Sequence, residues 1–222
     1  MVQKYIYKVK KMGYDKRISE LPAAGSLDGT ELFAVVQGGV TKYTTSQNIN
    51  YVTSNNYGLF NQTGSSVPIS GSVVEENLIG GGVGTLSVPA NGFKQGDAFH
   101  AILTGLCTFH NGDELDIRVK SDGVTLAETG TLTLASATNK RWKLEMFFSI
   151  NQIGETGTAE IVSSGTFMYS EDQAGKFNGT NFSFINSSSF DTTIDNTLVI
   201  TSQFDDINCF IQSKIFTLTK TF

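Results

Sequence analysis

The chain has 222 residues and a formal net charge of −5, with 39% hydrophobic, 11% aromatic and 17% charged residues. That supply of apolar and aromatic side chains excludes wholesale disorder, and no run of them approaches a membrane-spanning helix. The charge is uneven: residues 1–17 hold six Lys or Arg against Asp15, a local +5 that leaves −10 on the other 205 residues. An acidic body of this kind argues against nucleic-acid binding as the main role.

Residues 1–17 lack the apolar core of a signal peptide. Laid out as a strand, Tyr5, Tyr7 and Val9 share one face, and Lys4, Lys8 and Lys10 share the other. The segment reads as a sticky docking arm whose contact residues are Lys4, Tyr5, Tyr7, Lys8, Lys10 and Lys11. Residues 18–52 follow as a small module. Its hydrophobic clusters surround Leu21 and the run Leu32, Phe33, Ala34, Val35, Val36, with a turn-rich stretch at 25–30 between them. Gly38-Gly39 then breaks the chain before residues 40–45, which alternate as a strand does. So few apolar residues cannot build an independent core. Identical copies or a partner must cover Leu21, Leu32, Phe33, Val35 and Val36, which makes these the oligomerisation residues.

The order Ile18-Ser19-Glu20-Leu21-Pro22-Ala23-Ala24, Leu27, Gly29-Thr30-Glu31-Leu32 and Val35-Val36-Gln37-Gly38-Gly39-Val40-Thr41-Lys42 resembles a module near the N-terminus of tailed-bacteriophage fibre and appendage proteins. In that family it stands between a particle-attachment end and a distal β-structured head, and it carries no catalytic residues. The resemblance implies a place in a virion and contacts with capsid or tail proteins through the N-terminus.

Residues 53–72, rich in Asn, Ser, Gly and Thr, read as a linker that lets a distal domain at 73–222 stand away from its base. From residue 73 onward the pattern is strand, turn, strand. Residues 73–79 and 83–88 are short strand candidates around Gly80-Gly81-Gly82. No Lys-Ser/Thr and no helix follow these glycines, which excludes a phosphate loop. Residues 97–109 form a long strand with Phe99, Ala101, Leu103 and Cys107 on one face, and Asn111-Gly112-Asp113 turns it. Leu115, Ile117 and Val119 alternate with charged residues, and residues 124–134 continue after a second turn. The strongest period-2 signal is 140–150: Trp142, Leu144, Met146, Phe148 and Ile150 face one way, and Phe147 is the single apolar breach on the other face. Strands over 158–170, around Phe182 and Phe184, around Leu198, Ile200 and Phe204, and over 207–222 complete the chain, with polar loops at 170–180 and 186–196.

Eight to ten strands without a convincing helix define an all-β protein, an antiparallel β-sandwich. Long strands, uneven connections and no Cys-Trp-Cys spacing favour a jelly roll over an immunoglobulin-like fold or an up-and-down barrel. Five further segments, 87–100, 117–121, Trp142 to Glu145, 190–201 and 216–222, resemble C-terminal domains of phage appendage proteins. In that family the domain is a trimeric jelly roll of the tumour-necrosis-factor type, so the resemblance implies a homotrimer.

No catalytic or cofactor constellation is legible. His100 and His110 flank one strand and would stand about 33 Å apart if it were fully extended, too far to share a metal from that strand alone. The acidic groups Glu75-Glu76, Asp113-Glu114-Asp116, Glu171-Asp172, Asp191 with Asp195 and Asp205-Asp206 sit mostly in loop-like contexts. The 111–114 turn lacks the alternating spacing of a calcium loop. Cys107 and Cys209 read as buried free thiols, and sequence does not decide whether they pair. No enzymatic activity, cofactor, nucleic-acid or membrane partner is therefore expected. The leading expectation is a short trimeric phage fibre, made in the host cytoplasm and displayed on the virion surface. Its head would attach to a host surface, with glycans as candidate ligands and loops 171–180 and 186–196 as contact surfaces. A monomeric carbohydrate-binding module is the alternative, and a depolymerase the third reading.

Overall fold

The computed structural model describes residues 32–45 and 58–221. The chain divides into two compact units, residues 1–55 and 56–222.

The described part of the first unit is one hairpin, β1 (Leu32–Gln37) and β2 (Val40–Thr45), paired antiparallel from Leu32 opposite Thr45 to Gln37 opposite Val40. Gly38 and Gly39 both take positive φ, 61° and 75°. Two such residues in succession suit a two-residue turn whose twist matches that of the strands it joins.

The second unit opens with short strands: β3 (Leu59–Gln62), β4 (Ile69–Ser70), β5 (Glu76–Asn77), β6 (Gly82–Thr85) and β7 (Ser87–Val88). The main strands follow: β8 (Ala98–Phe109), β9 (Glu114–Ser121), β10 (Val124–Glu128), β11 (Leu132–Thr133), β12 (Ala137–Gln152), β13 (Glu160–Ser170), β14 (Phe177–Asn186), β15 (Asn196–Phe204) and β16 (Phe210–Lys220). No helix occurs among the described residues. The larger sheet runs β14-β13-β12-β8-β16-β3-β6, with β4 also on β16; the smaller runs β10-β9-β15-β5, with β11 on β9 and β7 on β15. All pairings are antiparallel. The chain changes sheet at every step from β4 to β9, and again between β11 and β12, β14 and β15, and β15 and β16. The fold is an all-β antiparallel sandwich, as the strand pattern predicts.

Every second residue of β8 is buried, from Phe99 to Phe109, and β12 buries Trp142, Leu144, Met146, Phe148 and Ile150 as the alternation requires. These side chains meet Leu115, Ile117 and Val119 of β9 and Ile200 and Phe204 of β15 in one hydrophobic core. The tightest point lies where β8 passes between β12 and β16. Gly105 stands opposite Trp142 on one side and Ser213 on the other, and a Cβ added there would fall 1.8 Å from the Gln212 carbonyl oxygen. The indole N–H of Trp142 reaches the carbonyls of Leu106 and Gln212 at 3.1 and 3.3 Å.

The linker expected at 53–72 is corrected by this structure. Residues 53–57 lie outside the described residues, but β3 and β4 both pair with β16 and close the larger sheet. Their polar residues are ligands for β16 rather than spacer. The Ser213 hydroxyl donates to Gln62 Oε1 at 3.0 Å, the Ser213 amide donates to Ser66 Oγ at 3.0 Å, and Gln212 Nε2 donates to the Ser66 carbonyl at 2.7 Å. The pairing of β16 with β8 slips between Ser213 and Ile215. A bulge leaves backbone groups unpaired, and these side chains satisfy them. Near the end of β16, Lys220 and Asp97 form a buried ion pair at 2.8 Å.

Other boundaries also shift. Residues 73–79 contribute only the two residues of β5, and Val74 is 66% exposed. The 83–88 candidate splits into β6 and β7 in different sheets, and 124–134 splits into β10 and β11. The short strand expected around Phe182 and Phe184 is the ten-residue β14. Two substitutions test this packing. Gly105→Ala should lower unfolding stability by about 1–3 kcal/mol through overpacking. Gln62→Ala should cost a similar amount, about 1–3 kcal/mol, by stranding buried groups on β16. Urea unfolding followed by fluorescence of Trp142, the one tryptophan, measures both.

Candidate functional site

Two exposed surfaces have the composition of contact sites. The first is the β1–β2 hairpin. Its register puts Leu32, Ala34 and Val36 on one face with Tyr43 and Thr41, and Phe33 with Val40 on the other. Neither face is covered: Leu32 is 65% exposed, Val36 75%, Val40 58% and Tyr43 76%. An isolated two-stranded hairpin is marginally stable in water, and one that shows apolar side chains on both faces gains nothing from burial. Leu32, Phe33 and Val36 are thus placed on one surface-exposed element. Leu21, the side chain of Val35 and the arm residues Lys4, Tyr5, Tyr7, Lys8, Lys10 and Lys11 lie outside the described residues.

The second surface is the outer face of the larger sheet. His100 on β8 pairs directly with Phe147 on β12, and their rings stack with centroids 4.3 Å apart and planes within 4°. Phe147 remains 53% exposed. The Glu145 carboxylate joins the group, 2.9 Å from His100 Nε2 and 2.6 Å from Lys143 Nζ. The hydrogen bond from Lys143, and then that from His100, holds the Glu145 carboxyl below its ordinary range. A shallow groove beside Phe147 is lined by Ala98, Ser149, Val162 and Ser164. An exposed ring with charged groups at its edge can stack on the apolar face of a ligand and hydrogen-bond its rim. The period-2 pattern marks Phe147 as out of place but says nothing of His100, because their pairing depends on a β8–β12 register set by the whole sheet.

The loops expected to be contact surfaces are more constrained than their composition implies. β14 begins at Phe177, so the 171–180 loop is reduced to 171–176. Asp172 accepts from the Thr138 amide and hydroxyl, both at 2.8 Å. In 186–196, Phe190 is 1% exposed, and Asn186 accepts from the Ser189 and Phe190 amides. Asn196 donates to the Asp191 and Ile194 carbonyls, and Asp195 accepts from the Ala90 amide. These are pinned loops, and Ile194 is their main exposed apolar residue at 51%.

The carboxylates are likewise engaged in structure. On the smaller sheet Glu75 bonds Lys120 at 2.6 Å and Thr201, while Asp116 bonds Arg118 at 2.9 Å. Burial alone would raise the Glu75 carboxyl, but the Lys120 and Thr201 hydrogen bonds, with the charges of Lys120 and Arg118, bring it below its ordinary value. Asp172, Asp191 and Asp206 are also lowered, chiefly by hydrogen bonds from Thr138, Thr193 and Asn208. Among the described residues no helix is long and apolar enough to cross a membrane.

No protein-family model matches the chain, and no curated protein and no solved structure matches it.

The lowered carboxyls set a direction for acid stability. A group whose folded-state pKa is depressed contributes stability above its unfolded pKa and loses it as pH falls through the folded value. Urea midpoints should be level above about pH 5 and decline below about pH 4. Glu75→Gln, which removes one such group, should make that decline shallower.

Proposed function

We propose that this chain is a structural virion protein of a bacteriophage: a short trimeric fibre or spike held to the particle by its N-terminus, with the β-sandwich as its exposed head. The observation that carries this reading is the β1–β2 hairpin, with exposed apolar side chains on both faces, inside the stretch that resembles the attachment module of phage fibres. Burial of those side chains needs other chains, and identical copies around a closed axis are the commonest solution. The jelly-roll reading of the head draws support from the strand order. β3, β16, β8 and β12 are neighbours in one sheet, and β5, β15, β9 and β10 are neighbours in the other, with the chain passing between sheets. Three heads on one base would multiply a weak interaction with a host-surface glycan through effective concentration.

Light scattering on the full-length protein should give about 72 kDa, three times the 24.0 kDa chain. Val36→Asp with Tyr43→Asp should return the mass to one chain while the head still unfolds cooperatively. A one-chain mass for the unaltered protein would overturn the trimer.

One observation favours a second reading, a monomeric carbohydrate-binding module: the exposed Phe147 ring backed by His100 and edged by Glu145 and Lys143. In that case Phe147→Ala should weaken binding to immobilised bacterial polysaccharide at least about tenfold, since an aromatic contact is worth about 0.5–1.5 kcal/mol beyond its area burial, and the protein should remain a monomer.

A further inference from the structure

At the end of the sandwich where the β8–β9 turn meets the start of β16, His110 and Asp113 of the turn converge with Cys209, 96 residues beyond Asp113 in sequence. Their ligand atoms all lie within 4.8 Å of one another. Asp113 Oδ2 is 3.2 Å from Cys209 Sγ and 3.4 Å from His110 Nδ1. We propose that these three side chains bind one divalent cation of the zinc class, with water completing a four-coordinate site.

The geometry fits that ion. Tetrahedral zinc with bonds of about 2.0–2.3 Å to nitrogen, oxygen and sulfur sets neighbouring ligand atoms about 3.3–3.8 Å apart. Two contacts are already close to that spacing, and the His110 side chain, 54% exposed, has room to turn inward. The charges also fit. A thiolate, a carboxylate and a neutral imidazole balance a dication to zero, which suits a site whose sulfur is fully buried. A mixed nitrogen, oxygen and sulfur set selects a borderline ion over calcium or magnesium, which take oxygen ligands.

The ligands are held by separate parts of the fold. Gly112 N–H donates to the Leu134 carbonyl at 2.9 Å, and the Leu134 amide donates to the Asp113 carbonyl at 2.7 Å, so β11 pins the turn. Cys209 is fixed by the adjacent Phe210, which pairs with Thr108 of β8. The His110 backbone favours the charged form of Cys209 against the effect of burial, which suits a metal thiolate. Asp206 adds negative charge that is felt at Cys209. Its Oδ1 accepts from the Asn208 amide and side chain at 2.6 and 2.7 Å, and Asp206 lies outside the cluster of three.

Without a cation, burial first and the Asp113 hydrogen bond second push the Cys209 thiol up to about 12. Binding then displaces the thiol proton to solvent and forms the metal–sulfur bond in its place. Cys107 is the internal control: it is also buried, but it faces Ile211 in the β8–β16 pairing and belongs to no such cluster.

The test uses full-length protein without a histidine tag, reduced and stripped with chelator, then titrated with cobalt(II) and afterwards zinc. A thiolate-to-cobalt charge-transfer band should saturate at one equivalent and be bleached by zinc. Cys209→Ser should abolish the band and Cys107→Ser should keep it. His110→Ala, at an exposed turn, should keep the fold by far-UV circular dichroism and weaken cobalt binding at least about tenfold. Absence of the band in the unaltered protein, its survival in Cys209→Ser, or its loss in Cys107→Ser would each overturn the proposal.

Discussion

The sandwich depends on the close approach of three strands around Gly105. β8 lies between β12 and β16, and at this level the backbone of β16 comes so near that no side chain fits. The space is closed by the Trp142 indole, whose N–H bonds the Leu106 carbonyl of β8 and the Gln212 carbonyl of β16. A glycine inside a strand ordinarily weakens it. Here the missing side chain lets the largest aromatic group in the core lie against backbone. The surrounding rings then stack outward, Trp142 on Phe167, Phe167 on Tyr169 and Tyr169 on Phe109, with centroids 4.9–6.0 Å apart.

Polar residues do a second kind of structural work. Gln62 and Ser66 tie the start of the head to the bulge in β16, Asn186 and Asn196 brace the 186–196 loop, and Asp172 caps the start of β12. In each case a side chain satisfies backbone groups that the ladders leave over, because a buried unpaired amide or carbonyl costs more than a hydrogen bond contributes. A composition rich in Ser, Asn, Thr and Gly is therefore compatible with a tightly closed fold. It also explains why stretches that read as spacers or open loops are held in place.

The two units meet opposite demands. The head builds an internal apolar core through alternation along β8 and along β12 from Trp142 to Ile150. The hairpin at 32–45 leaves its apolar residues outside. Apolar side chains exposed in this way keep their hydrophobic driving force available for a further surface, which is the physical basis for proposing assembly at the base and display at the head. The candidate metal ligands sit apart from both roles, where strand ends from the two sheets come together.

The amino-acid sequence by itself determined the all-β class and the buried faces of β8, β9 and β12, because period 2 and turn chemistry are local properties that survive in any tertiary setting. Trp142, Leu144, Met146, Phe148 and Ile150 were legible as one core face for that reason, and Phe147 as its exception. Tertiary structure alone decided which strands are neighbours: that residues 59–70 join the sheet through β16, that His100 lies against Phe147, and that His110 and Asp113 meet Cys209 across 96 residues of sequence. Distance along the strand argued that His100 and His110 cannot share an ion from that strand alone, but it could not see Cys209 arriving beside His110 from elsewhere in the chain. Register and sheet order come from the packing of all the strands at once, and a local pattern carries no record of them.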